Sequence, residues 1–102
     1  MWLLNIKNST KPDKKMVATF CKCEKKDACK GKNNKIVHFG SKGSSTFLDH
    51  KDEDKKKNYL ARHKVNENWN DPTTAGALSR WILWNKKTLS ESIQDFKNRF
   101  KL

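Results

Sequence analysis

Three cysteines and one histidine in the first forty residues are the side chains best suited to hold a metal ion. Together they could supply four zinc ligands, namely Cys21, Cys23, Cys29 and His38. Cys21 and Cys23 are separated by one residue, whereas structural zinc sites usually separate paired cysteines by two or more, although residues at i and i+2 on a strand do face the same way. The alternative is free thiols in a reducing compartment, because an odd cysteine count argues against a complete internal disulfide framework. We therefore expect no cofactor and keep zinc as the alternative interpretation.

A second set of residues has the side chains of acid–base chemistry on phosphodiesters, where histidine acts with carboxylate and arginine. The set consists of His38, His50, His63, Asp49, Asp52 and Arg80. The chain shows no nuclease spacing, no glycine-rich phosphate loop and no Ser or Cys nucleophile motif. Tyr59 and His63, spaced i, i+4, are more typical of one half-buried patch on a helix. The sequence therefore predicts no enzymatic activity.

Positive charge is the strongest compositional feature of the chain. Of 102 residues, 23 are Lys or Arg and 11 are Asp or Glu, which gives a formal net charge of +12. Residues 1–48 contain 11 lysines, three acidic residues and no arginine. Such an excess favours a polyanionic partner, and lysine suits phosphate contact better than the reading of bases. The predicted binding residues are Lys22, Lys25, Lys26, Lys30, Lys32, Lys35 and Lys42.

Four tryptophans raise the question of stacking on nucleic-acid bases. Trp81 and Trp84 lie in the most apolar run of the chain, so we expect them in the core. Trp2 and Trp69 lie among polar residues and are better surface candidates. Arg80 is the one cation inside the apolar run. We expect it either to pair with Asp49 or Asp52 or to extend its charged end into water.

The elements that must position these residues begin with short β-rich segments, Trp2–Ile6, Met16–Cys21 and Lys35–Phe39, separated by polar turns. Consecutive short strands favour antiparallel pairing, so the sequence predicts a three-stranded meander with one face on the core. The residues expected on that face are Phe20, Val37 and Phe39.

The rest of the chain has helical patterns, which predict helices near 50–64, 72–84 and 88–100. Asp71 and Pro72 fit the N-cap and first position of the second helix, and Thr88 with Glu91 fits a capping box for the third. The helical residues expected in the core are Tyr59, Leu78, Trp81, Ile82, Trp84, Ile93 and Phe96. The fold class predicted is therefore α+β, with an N-terminal three-stranded sheet packed against three C-terminal helices.

We expect residues 1–102 to form a single domain, with a strand region at 1–40 and a helical region at 50–102. The apolar run at Met1–Ile6 is too short for the core of a signal peptide, which needs at least about seven residues. No other run approaches the roughly 18 apolar residues of a membrane span. These features predict a protein without a signal peptide or a membrane span, made in the cytosol.

Several short motifs lie between Val37 and Phe100: Phe39–Gly43, His50–Asp52, Tyr59–His63, Trp69, Thr74–Gly76, Ser79–Asn85 and Thr88-Leu89. With the closing aromatic and basic helix, these motifs resemble a family of small basic proteins encoded by large nucleocytoplasmic and algal DNA viruses. The resemblance covers about two thirds of the chain and leaves out the cysteine cluster. It implies a viral setting, in the host cytoplasm, the virus factory or the virion, and implies no activity.

Two functions are compatible with these observations. One is a non-catalytic protein that binds polyanions, nucleic acid in particular, through its lysines and without sequence readout. The other is a structural virion component, such as a minor capsid or cement protein, that packs against acidic capsid neighbours. Net charge does not separate them, because both predict an acidic partner.

Overall fold

The strands occupy the first part of the chain in the computed structural model, which describes residues 1–22, 34–65 and 67–102. They are β1 (Trp2–Asn8), β2 (Lys14–Cys21) and β3 (Asn34–Ser41). β2 is the central strand and pairs antiparallel with both neighbours, so the sheet is a simple meander in the order β1-β2-β3. The predicted antiparallel sheet is therefore confirmed, with each strand slightly longer than its apolar core.

The helical elements all follow the sheet. They are α1 (Phe47–His50), α2 (Glu53–His63), α3 (Ala75–Leu78), a π-helical turn (Ser79–Leu83) that continues α3 directly, and α4 (Leu89–Phe100). The predicted α+β class is confirmed. Among the described residues, no helix is both long enough and apolar enough to cross a membrane.

A β-bulge in β1 lets this strand contribute two side chains to the core. The pairing of β1 with β2 shifts register between Leu3 and Asn5. Without that shift Leu3 and Ile6, three residues apart, would point to opposite faces of the sheet. Instead Leu3 lies opposite Phe20 and Ile6 lies opposite Ala18, and both pack on the core.

The core lies between one face of the sheet and the helical half of the chain. Its buried members are Leu3, Met16, Ala18, Phe20, Phe39, Leu78, Ile82, Leu83 and Phe96. Phe20 and Phe96 meet edge to face with ring centroids 6.4 Å apart, which fixes α4 against the sheet. Of the other side chains expected in the core, Val37, Trp81, Trp84 and Ile93 are only partly buried against this cluster. Tyr59 is buried, and it stacks on Trp84.

The predicted helix at 50–64 corresponds to α2, and the residues just before it form the separate short helix α1. Thr46 caps the one-turn helix α1, and its backbone N–H donates to Asp49 Oδ2 at 2.7 Å. Lys51 then adopts a left-handed conformation with φ of 53°, which interrupts the helix. Asp52 restarts it as the N-cap of α2, because its side chain accepts from the backbone N–H groups of Asp54 and Lys55. Asp49 and Asp52, which were considered for acid–base chemistry, therefore stabilise helix ends.

The predicted start of the second helix at Asp71 and Pro72 is wrong by three residues. The Asp71 carboxylate accepts from both the backbone N–H and the hydroxyl of Thr73, at 3.0 and 2.7 Å, so it closes a local turn. Thr74 is the N-cap, and its hydroxyl accepts from the N–H of Ala77 at 3.1 Å.

The capping residue of α4 is Thr88, as expected from the sequence. Its hydroxyl accepts from the N–H of Glu91 at 3.3 Å and donates to the Glu91 carboxylate at 2.9 Å. The carboxylate thus bonds to the Thr88 hydroxyl, where a standard capping box would bond to the Thr88 N–H.

The π-helical turn determines which residues of the apolar run reach the surface. The N–H of Trp84 donates to the carbonyl of Ser79 at 3.1 Å, one residue further back than in an α-helix. Because of this wider turn, Leu78 and Leu83, five residues apart, are both buried. Arg80 and Trp81 lie between them and are only partly buried.

Candidate anion-binding surface

The lysines predicted to bind polyanions do not form one patch. Lys22 follows β2 and is exposed, and Lys35 is the second residue of β3, with its Nζ 3.3 Å from Thr73 Oγ1. Lys42 follows β3 at its other end, so it lies about 23 Å along the sheet from Lys35 at the usual strand rise. Four of the predicted binding residues lie outside the described residues: Lys25, Lys26, Lys30 and Lys32.

The geometry of the sheet separates two of the four candidate zinc ligands. Cys21 lies opposite Asn34, whereas His38 lies opposite Val17, four residues or about 13 Å further along the ladder. That separation exceeds the reach of a cysteine and a histidine bound to one zinc ion, whose bonds are about 2.0–2.3 Å. His38 Nδ1 is instead hydrogen-bonded to Ser9 Oγ at 2.7 Å.

Cys21 is fully buried and disulfide-bonded, which corrects the expectation that it is a free thiol. Cys23 and Cys29 lie outside the described residues. Within the ranges that the structure does describe, no three His, Cys, Asp or Glu side chains are grouped to hold a metal ion.

The histidines and aspartates considered for acid–base chemistry each have a separate partner. His63 lies on α2, stacks on Tyr59 at 4.2 Å, and places Nδ1 3.2 Å from Glu67 Oε1. His50 accepts a hydrogen bond from the backbone N–H of Asp52. Burial raises the pKa of Tyr59 to about 12, and the Glu67 carboxylate adds to this shift. The arrangement matches the expected half-buried Tyr59–His63 patch.

Arg80 lies neither in an ion pair with an aspartate nor with its charged end in water, the two environments that the sequence predicted. Its Nη1 donates to the carbonyl of Trp84 at 2.9 Å, and its guanidinium carbon lies 4.2 Å from the ring centre of Trp81 and 5.5 Å from that of Trp69. Among the described residues, no carboxylate lies within ion-pair distance of it. Burial, followed by repulsion from Arg99, lowers the pKa of Arg80. It is therefore a half-buried cation held by aromatic rings and a carbonyl dipole.

Arg99 brings a second guanidinium to the same indole ring. Its guanidinium carbon lies 4.0 Å from the ring centre of Trp81, and its Nη2 lies 3.5 Å from Asp95 Oδ2 one helical turn earlier. Asp95 Oδ2 also accepts from Asn85 Nδ2 at 2.7 Å. Burial opposes ionisation of Asp95, but the bonds from Asn85 and Arg99 outweigh it and lower the pKa of the carboxyl. One carboxylate therefore faces two arginines.

Hydrogen bonds fix the aromatic residues beneath these cations. Trp81 Nε1 donates to the carbonyl of Trp69 at 2.9 Å, and Trp69 Nε1 donates to Glu67 Oε2 at 2.7 Å. The Trp81 ring also meets Phe100 edge to face at 6.3 Å. With its N–H satisfied and its ring packed, Trp81 is a rigid support for both guanidiniums.

Two lysines extend the positive surface around the linker that joins the π-helical turn to α4. Lys56 Nζ donates to the carbonyl of Asn85 at 2.8 Å. Burial lowers the pKa of Lys56; Glu53 acts against this shift, and the positive charges of Arg80 and Lys86 add to it. These couplings place cations from α2, the π-helical turn, the linker and α4 close together. We call this the arginine–tryptophan cluster: Trp69, Arg80, Trp81 and Arg99, with Lys56 and Lys86 at its rim.

Sequence reasoning identified Arg80 and the tryptophans but missed Arg99, Lys56 and Lys86. The one local signal was the i, i+4 pair of Asp95 and Arg99, which is typical of any exposed helix. The contact of Arg99 with Trp81 depends on how α4 packs beside the π-helical turn, and no local pattern specifies that packing. Chemically, the cluster offers charged planar N–H donors held on aromatic rings, an arrangement suited to phosphate or carboxylate oxygens.

Comparison with known proteins gives one family. No curated protein and no solved structure matches the chain. A family model described as a family of unknown function, DUF5754, matches residues 4–63. The match covers the sheet except the first two residues of β1, together with α1 and α2, and it overlaps the resemblance noted above from Val37 to His63. Since it spans more than half of the 102 residues, the chain belongs to this family of unknown function.

Proposed function

We propose that the protein binds polyanions, nucleic acid in particular, without catalysing a reaction and without reading base sequence. The observation that carries the proposal is the arginine–tryptophan cluster, in which two guanidiniums lie over Trp81 and one carboxylate, Asp95, contacts one of them among the described residues. Arg80 is a half-buried cation without a carboxylate in ion-pair contact among the described residues, which is energetically unfavourable. A bound phosphate would supply the missing negative charge.

The chemistry of the cluster supports phosphate contact over base readout. A guanidinium has five N–H donors in a planar fork, and Arg80 uses one of its nitrogens on the Trp84 carbonyl. The remaining geometry matches phosphate oxygens, which every nucleotide presents alike. The exposed lysines, such as Lys22 and Lys42, add attraction at longer range.

A structural virion component is the second candidate, and a different property of the surface favours it. Arg and Trp are enriched at the energetic centres of protein interfaces. Three large apolar side chains are also exposed among the described residues, Val65 at 82%, Ile36 at 62% and Met1 at 47%. In this alternative the cluster packs against an acidic capsid neighbour. Both candidates take their viral setting from the family resemblance.

Binding of a labelled single-stranded oligonucleotide, measured by fluorescence anisotropy, tests the first proposal. Replacing Arg99, which is partly exposed, with Gln removes one guanidinium without opening the core. We expect Arg99→Gln to weaken binding about tenfold, the cost of one charge-assisted hydrogen bond. Lys57→Gln, an equal charge change at an exposed position of α2, is the matched control and should cost about twofold or less.

Oligonucleotides of different sequence should bind with similar affinity, and a polyglutamate probe of matched charge should bind more weakly. Preference for polyglutamate with loss in Arg99→Gln would favour the capsid-interface candidate. Equal effects of Arg99→Gln and Lys57→Gln would show that only diffuse charge matters, and would contradict the assignment of the cluster.

A further inference from the structure

A cleft beside α1 and α2 has features that polyanion binding at the arginine–tryptophan cluster does not use. Its volume is about 540 Å³, within the usual range for small-molecule sites. It is lined by Ser45, His50, Lys55, Asn58, Arg62 and Trp84. The described residues of its wall thus provide two cations, hydrogen-bonding groups and an aromatic ring, and none of them is acidic.

His50 carries a hydrogen-bond donor that nothing in the described structure satisfies. Its Nδ1 accepts from the backbone N–H of Asp52 at 3.0 Å, so this nitrogen has no hydrogen of its own. In the neutral imidazole the ring hydrogen is then on Nε2. That Nε2 atom is buried, and it has no hydrogen-bond partner among the described residues. A buried donor in this state is destabilising, so an acceptor at this position would be favourable.

Aromatic packing holds the His50 ring in this orientation. It lies 5.3 Å from the Trp84 ring, tilted by 55°, and meets Phe47 edge to face at 6.3 Å. Trp84 is itself fixed by a nearly parallel stack on Tyr59 at 4.3 Å. The ring, and with it the direction of the buried Nε2–H, is therefore held rigidly, which lowers the entropy cost of binding an acceptor there.

We propose that this cleft binds a phosphate group, with His50 Nε2–H donating to a phosphate oxygen and Lys55 and Arg62 neutralising its charge. The site shares no side chain with the arginine–tryptophan cluster. The phosphate can belong to free inorganic phosphate or to a nucleotide whose flat base packs against Trp84. The two sources differ in affinity, because base packing contributes only for the nucleotide.

Histidine side-chain ¹H–¹⁵N spectra, recorded at neutral pH and constant ionic strength, test the proposal with inorganic phosphate and adenosine monophosphate as probes. The chain has three histidines, and His38→Gln and His63→Gln identify the remaining His50 signal. We expect a saturable downfield shift of His50 Nε2–H with both probes. Arg62→Gln and Lys55→Gln should each weaken binding about tenfold, whereas Lys57→Gln should change it by about twofold or less.

The relative affinities of the two probes identify the source of the phosphate. Affinity for the monophosphate about tenfold above that for inorganic phosphate assigns a nucleotide, and similar affinities assign the free ion. The absence of a saturable shift at about 10 mM of either probe, a free-ligand level at which even a millimolar site is mostly occupied, would overturn the proposal. Equal losses of phosphate affinity in Arg62→Gln and Lys57→Gln would also overturn the proposal. Arg99→Gln should leave this titration unchanged, so the two proposals fail independently.

Discussion

Arg80 illustrates how an aromatic ring can hold a cation that has no carboxylate within ion-pair distance among the described residues. A carboxylate partner would occupy two donors of a guanidinium and cancel its charge. The ring of Trp81 attracts both guanidiniums through its face, and the described contacts use only one nitrogen of Arg80, on the Trp84 carbonyl, and one of Arg99, on Asp95. Arginines held in this way keep their charge available to a ligand, which is the physical basis of the proposed surface.

The charge balance of the cluster predicts an opposite effect of one substitution on binding and on stability. Asp95→Asn removes the carboxylate that pairs with Arg99 and accepts from Asn85. We expect affinity for single-stranded DNA to rise about threefold, because a repulsive charge leaves the site, while stability falls by about 1 kcal/mol with the lost ion pair and weakened bond. Anisotropy and thermal denaturation measure the two effects.

Glu91→Gln is the control for Asp95→Asn, since Glu91 lies one turn earlier on α4, bonded to Thr88. It changes the net charge equally but leaves the cluster intact. A similar rise of affinity in both variants would show that net charge alone is responsible.

The raised pKa of Tyr59 predicts that the folded protein becomes less stable at alkaline pH. Its pKa is raised from 10 to about 12 in the fold, chiefly by burial. The unfolded chain therefore loses this proton first, and stability that is complete below pH 10 decreases as the pH rises from 10 to 12, by up to about 3 kcal/mol. Tyr59 is the one tyrosine of the chain, so tyrosinate absorbance follows it directly. A titration midpoint near 10 in the folded protein would contradict the burial of its hydroxyl.

The matching stability experiment compares wild type with Tyr59→Phe. Removal of the hydroxyl should reduce the loss of stability between pH 10 and 12. Below pH 10 the free energy of unfolding should change with pH by similar amounts in the two proteins.

At the scale of elements, the close contact between the end of β3 and the π-helical turn controls the position of the cluster. Gly40 has φ of +77°, and a Cβ there would lie 2.7 Å from Leu83 Cδ1. Gly43 has φ of +90° with nothing within 4 Å of such a Cβ. Gly40→Ala should therefore cost about 2–4 kcal/mol from backbone strain and overpacking, and Gly43→Ala about 1 kcal/mol from strain alone.

Urea denaturation of the two glycine variants measures this difference, with the midpoint as the readout. Equal midpoints would mean that Leu83 does not pack on Gly40, and that the π-helical turn is not held at this place.

The strands and α4 were predictable because local signals agree with their environment. Phe20 and Phe39 lie in short segments rich in β-forming residues, and Thr88 begins a helix with a continuous apolar stripe. The π-helical turn was not predictable, since Leu78 and Ile82 also fit an ordinary α-helix and only the burial of Leu83 distinguishes the two. The start at Thr74 was missed because Asp71 is an equally good N-cap by residue type.

The site was less predictable than the fold. Lysines dominate the composition, so the sequence predicted a binding surface formed by lysines of residues 1–48. The structure instead brings two arginines of the helical half onto the indole ring of Trp81. That contact joins Trp81 to Arg99, 18 positions later in the chain, through the packing of two helical elements. Composition reports how much charge a chain carries, and only the fold determines where the uncompensated part lies.

At the scale of the whole molecule, charge is unevenly compensated. The chain has a net charge of +12, and the described residues contain three ion pairs, of which one involves a histidine. Self-repulsion at this density destabilises the compact state, and a polyanion relieves it. Binding of nucleic acid should therefore also stabilise the protein by mass action.

The salt dependence of single-stranded DNA binding tests the central claim most directly. If Lys56, Arg80, Lys86 and Arg99 each contact one phosphate, the slope of log K against log salt should be near −3, from about −0.7 per contact. Arg99→Gln should reduce the magnitude of this slope by about 0.7, and Lys57→Gln should leave it unchanged. Binding without salt dependence, or the same slope in wild type and Arg99→Gln, would contradict a phosphate-binding role for the arginine–tryptophan cluster.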